Sequence, residues 1–193
     1  KCDELMNILI NGLPTAIEID GKPYNINADY RTGLKIIIAF EDKALTELEK
    51  QSVLLNLLYK EMPSNVGIAL QKGIKYLNCG DLERSENKGI EQRIYSFSYD
   101  QKYVFSAIDR VLYGRLSKGE FVHWWEFITA FMDMPEDCMM SKIIYYRTQF
   151  QKGKLTKEER KIYFDNRSIF ELPVELTNEE ELKRERFMRR LEK

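Results

Sequence analysis

Apolar and polar residues alternate from Ala16 to Ile19, and the alternation resumes at Tyr24 and Ile26 after Asp20-Gly21. Two period-two runs around a turn-forming dipeptide predict an antiparallel β-hairpin. Pro23 has no amide hydrogen to give, so the returning strand is expected at a sheet edge. A small ribbon of this kind also suits docking onto a partner.

Beyond the hairpin the period becomes helical. In "DYRTGLKIIIAFED" the positions Leu34, Ile37 and Ile38 share a face, with Asp29 or Thr32 as the start. A second helix opens at Thr46, where Glu49 three residues on completes a capping box. Its inward face reads Leu48, Leu55, Leu58 and Tyr59, widened by Val53 and Leu54, and Pro63 ends it. Ser64 is placed to cap a third, with Val66, Leu70, Ile74 and Leu77 inward and "CGD" as its stop. A fourth spans about Tyr99 to Tyr113, before Gly114. The fifth reads as capped by Ser117 with Glu120 and stopped before Pro135. The sixth begins at the proline and acids of "PEDC", and the seventh at Thr156 with Glu159. Residues 174–193 read as a charged terminal helix, acidic first and basic last.

The polar, glycine-containing stretch 80–93 reads as a linker. It separates a hairpin-plus-helices unit, 6–79, from a helical unit, 94–173. The expected fold is mainly α and bundle-like, with an N-terminal β-hairpin and room for two small helical subdomains. The chain opens at Lys1 and Met6 offers an alternative start, so residues 1–5 read as native or as an upstream remnant.

The fifth helix holds the stretch of greatest chemical interest, "FVHWWEFITAF", with the only histidine, His123, beside both tryptophans. Phe121, Trp125 and Ile128 follow a helical stripe, and Trp124, Phe127 and Phe131 widen it past half the circumference. These six are the candidate core or partner-binding residues, core being favoured. A serine or cysteine nucleophile needs a histidine base and an orienting acid, and a two-histidine zinc motif needs more histidine than the chain has. No GxSxG, GxGxxG or phosphate-binding glycine loop occurs. His123 therefore reads as a packed or hydrogen-bonded helix residue, and no catalytic residue, metal or cofactor is expected.

Charge is balanced, 30 basic against 31 acidic residues, which gives no global attraction to nucleic acid or anionic membrane. The basic cluster Arg186, Arg189 and Arg190 with Phe187 suits phosphate and base contacts, but interleaved acids oppose it. No apolar run reaches membrane-spanning length and no basic-then-apolar leader is visible, so a soluble intracellular protein is expected. Cys2, Cys79 and Cys138 are widely spaced and read as reduced thiols.

Three segments in order, "YSFSYDQKYVFSAIDRVLYG", "HWWEFITAFMDMPEDCMMSKIIYYR" and "LTKEERKIYFDNRSIFELP", resemble the phage gene-product-fifteen family of Gram-positive phage and prophage tail modules. The opening "MNILINGLPTAIEIDGKPYNINADYRTGL" is similar to the family's hairpin, and the resemblance runs from about Met6 to Pro173. The resemblance implies a non-enzymatic role in tail morphogenesis in the host cytoplasm. In this reading the protein is a self-associating tail assembly chaperone that binds the tape-measure protein. A structural or accessory tail protein retained in the virion is the alternative, and a small nucleic-acid-binding phage protein the third.

Overall fold

The computed structural model describes residues 7–80 and 94–173. Strands β1 (Ala16–Ile19) and β2 (Lys22–Asn25) form the expected hairpin, with Ile19 opposite Lys22 and Ile17 opposite Tyr24. Asp20 and Gly21 both take positive φ, 50° and 78°, the turn whose twist matches an antiparallel pair. Ile17, Ile19 and Tyr24 go inward, while Glu18 and Lys22 stay in water. Pro23 lies opposite Glu18, the non-hydrogen-bonded pair next to the turn-closing pair Ile19–Lys22, so its missing N–H breaks no ladder.

Nine helices accompany the hairpin among the described residues: α1 (Ile8–Asn11), α2 (Tyr30–Glu41), α3 (Glu47–Leu58), α4 (Val66–Leu77), α5 (Gln101–Val111), α6 (Trp124–Met132), α7 (Met139–Gln151), α8 (Lys157–Asp165) and α9 (Arg167–Phe170). The fold is mainly α with an N-terminal hairpin. Asp29 caps α2 by accepting from the Arg31 amide. Thr46 with Glu49, and Thr156 with Glu159, form reciprocal capping boxes on α3 and α8. Tyr113 and Gly114 turn left-handed after α5, and the Gly114 amide closes onto the Asp109 carbonyl at 2.8 Å.

Several expected boundaries and faces are corrected by tertiary contacts. Helix α3 ends at Leu58, well before Pro63, because Tyr59 turns extended to pair with Ile26 and donates its hydroxyl to the Ala69 carbonyl at 2.7 Å. Asn65, not Ser64, caps α4; the Ser64 hydroxyl pairs with that of Tyr24 instead. The buried face of α4 is Ala69, Gly73, Tyr76 and Leu77, while Val66 and Ile74 are exposed. Small residues let α3 approach there: a Cβ on Gly73 would lie 2.7 Å from Leu54 Cδ2. On α2 the buried residues are Tyr30, Gly33 and Ile36, and Ile38 is exposed; on α3, Leu48 is exposed. Helix α5 starts at Gln101, not Tyr99. Helix α7 starts at Met139, capped by the Cys138 sulfur, and Pro135–Asp137 form the turn before it.

One large apolar cluster runs from the hairpin through α2, α3 and α4 to α5, α6 and the first turn of α7. Residues on both sides of positions 81–93 thus contribute to the same core. A smaller cluster joins Ile143, Leu155, Tyr163 and Phe170. Between them, Arg147 and Asp100 are buried and paired in a two-pronged bridge, Nη1 to Oδ2 at 2.6 Å and Nη2 to Oδ1 at 3.0 Å. Nε donates to the Phe170 carbonyl, and the remaining guanidinium hydrogens reach those of Ile94 and Ile169. All five donors are satisfied, as burial of such a charge requires. The 80–93 linker beyond Gly80, Met6, the Arg186–Arg190 cluster and the 174–193 helix lie outside the described residues.

Candidate docking surfaces around the aromatic helix

The aromatic helix begins later than its capping pattern predicts. Residues after α5 form turns, and the Asp109 carboxylate accepts from the Leu116 and Ser117 amides, which holds it below the usual carboxylate range. The chain then runs extended beside the α2 start: Tyr30 N–H donates to Val122 O at 2.9 Å and Trp124 N–H to Ala28 O at 2.8 Å. Only at His123 does α6 open. Its Nδ1 accepts from the Trp125 amide at 3.1 Å, and its Nε2 lies 2.9 Å from the Pro14 carbonyl oxygen. A carbonyl can only accept, so Nε2 carries the proton and the ring is neutral. Burial pushes the His123 pKa down, against the Pro14 bond and the Glu126 charge. The ring is thus a cap and a tether.

The two indoles tie α6 to the C-terminus of α4. Trp124 Nε1 donates to Leu77 O at 2.9 Å and Trp125 Nε1 to Tyr76 O at 2.7 Å. Helix ends leave such carbonyls without intrahelical partners. Trp124 also lies face-on against Gly33 of α2, so closely that a Cβ there would sit 2.2 Å from its ring.

The six candidate residues part company. Trp124 and Phe127 are core, and Phe127 stacks on Tyr30 at 4.9 Å. Ile128 and Phe131 are half-buried over a pocket of about 470 Å³ shared with Ile37, Tyr95 and Phe97. Phe121 lies outside the helix, 59% exposed, beside Asn27 and Lys60 in another cleft. Trp125 alone among them borders a groove of about 690 Å³. That groove lies between Ile8, Leu13 and Ile17 on one side and Val111, Leu112, Thr129 and Ala130 on the other, with Lys72, Lys75, Glu126 and Asp133 also at its walls. Glu126 is held by Arg115, and Lys72 donates to the Glu18 carbonyl. The Tyr76 hydroxyl is buried without a hydrogen-bond partner among the described residues, and burial pushes its pKa up.

A second cleft, about 740 Å³, opens between α2 and α5. Leu34, Ile38, Tyr99 and Phe105 line it, and Arg31, Lys35 and Lys102 stand around it. Ile38, Tyr99 and Phe105 are all exposed. No pattern in the sequence singles out Tyr76, Gly33, Phe105 or the Asp100–Arg147 pair. The only available sign was an isolated charge in each of two apolar runs, "YSFSYD" and "IIYYR". Among the described residues no group of three His, Cys, Asp or Glu side chains is placed to hold a metal ion. No helix there is long and apolar enough to cross a membrane.

A family model described as Bacteriophage Gp15 protein matches residues 9–172. The chain belongs to this family. Neither the curated proteins nor the solved structures gave a significant match. The match covers every element named above except the first residue of α1, so the α2–α5 cleft and the buried ion pair lie within the family's span, and so does the Trp125 groove apart from Ile8. As a Bacteriophage Gp15 family member this is a phage protein.

Proposed function

We propose that this protein is a tail assembly chaperone, a non-enzymatic, self-associating protein of the host cytoplasm. It holds apolar segments of the tape-measure protein until tail-tube subunits replace it. The observation that carries the reading is the α2–α5 cleft, where Ile38, Tyr99 and Phe105 stand exposed together in one concave surface. An exposed apolar cluster of that kind is suited to covering an amphipathic helix. Lys35 and Lys102, beside an Arg31 already paired with Asp29, favour a client with acidic residues flanking its apolar stripe.

Co-expression with the tape-measure product, copurification, and mass spectrometry of finished virions test the proposal. A chaperone copurifies and is missing from virions, and Phe105→Asp abolishes copurification while the variant stays folded. Recovery of the protein in virions establishes the structural or accessory role instead. Failure of the wild type to bind any tape-measure segment removes the chaperone reading.

A further inference from the structure

Helix α1 is the least accommodated element of the fold. It has four residues, Ile-Leu-Ile-Asn, and none is buried. Leu9 is 92% exposed and Ile10 79%. The helix is nonetheless held in place. Asn7 caps it through the Leu9 amide, Gly12 closes it onto the Ile8 carbonyl, and Pro14 two residues on is fixed by His123. Ile8 and Leu13 form part of the wall of the Trp125 groove. Successive helical residues are about 100° apart, so with Ile8 turned to the groove, Ile10 faces away from it. The chain therefore cannot fill this groove with its own Ile10.

We propose that the Trp125 groove receives α1 of a second copy of this chain, forming a reciprocal dimer. Groove and plug are contiguous, because α1 is itself one edge of the groove. One approach about a two-fold axis then seats both plugs at once, as an isologous interface requires. Leu9 and Ile10 leave water against Trp125 and Ala130. The inference rests on the self-association within the reading above. It does not rest on the tape-measure client, which has a separate cleft.

The test uses two variants of the full chain, both at exposed positions, so neither disturbs the core. Ile10→Asp spoils the plug and Thr129→Arg obstructs the groove. Sedimentation velocity over a dilution series should show a wild-type dimer, and each variant should raise its dissociation constant about tenfold or more. Circular dichroism and melting of the monomeric variants should match the wild type at low concentration. Mixing the two variants should restore association, because the mixed pair keeps one intact plug in one intact groove. A wild type that stays monomeric at every concentration overturns the proposal. So does a dimer indifferent to both substitutions, or a mixture that associates no better than its components. Loss of tape-measure copurification by Thr129→Arg in a monomeric wild type would give the groove to the client and overturn the second-copy assignment. Dimerisation by a wild type that ignores the tape-measure product would leave this inference standing and remove the chaperone reading.

Discussion

Gly33 offers a stringent test of the packing, because two effects of known size oppose each other there. Replacing a helical glycine by alanine normally favours the helix by about 1 kcal/mol. Here the new Cβ would lie 2.2, 2.4 and 2.8 Å from three atoms of the Trp124 ring. Ordinary contact begins near 3.4 Å, so the indole would have to retreat by about an ångström or α2 would have to lift. Neither is easy. Trp124 is 1% exposed, bonded through Nε1 to Leu77 O, and near-parallel to Phe127 at 14°. Overpacking of this kind costs about 1–3 kcal/mol, and loss of the indole bond about 1 kcal/mol more. After the propensity gain the net loss for Gly33→Ala is about 1–3 kcal/mol. For a chain of this size that lowers Tm by about 2–12 °C. Gly67 in α4 is the internal control. A Cβ there meets only Asn65 Oδ1 at 3.8 Å, so Gly67→Ala should keep the propensity gain and raise stability by up to about 1 kcal/mol. Urea unfolding followed by tryptophan fluorescence measures both. A Gly33→Ala protein as stable as the wild type, beside a stabilised Gly67→Ala, would refute the close approach of Trp124 to α2.

Three further outcomes are expected. Arg147→Met leaves the Asp100 carboxylate buried without its partner and should destabilise by about 3–5 kcal/mol, whereas the double replacement Asp100→Asn with Arg147→Met should recover part of the loss; a denaturant cycle over the four proteins checks this. Trp124→Ala should cost about 3–5 kcal/mol, and the half-buried Trp125→Ala distinctly less, with its larger effect on association; equal losses of stability would contradict the split between core and groove. His123 is neutral in the fold with its pKa lowered, so the unfolded chain binds its proton more readily; stability should be flat above pH 6.5 and fall as the pH drops from 6.5 toward 5. The lowered carboxylates Glu49, Asp109 and Glu159 lose their contribution only at lower pH, so His123→Gln should flatten the slope between pH 6.5 and 5.

Features that depend only on neighbours along the chain were legible before any fold was known. The Asp20-Gly21 turn, the Thr46/Glu49 and Thr156/Glu159 capping boxes and the left-handed exit near Gly114 are local arrangements of adjacent groups. The mainly α class with an N-terminal hairpin follows from periodicity, which is also local. Tertiary structure decided which side of a helix is inside when both sides are apolar. "GLKIII" offers several stripes, and the place where Trp124 lands on Gly33 selects Ile36 over Ile38. It also decided where helices begin and end when a better non-local bond competes. Ser117 has the capping pattern, yet pairing of Val122 and Trp124 with the α2 start delays α6 to a histidine cap. The candidate surfaces are of the same kind. "FVHWWEFITAF" showed that a wide aromatic face exists, but it is α4 and α1 that leave Trp125 at an open groove and bury Trp124 beside it. A hydrophobic pattern records what must leave water; which neighbour covers it is fixed only when distant segments meet.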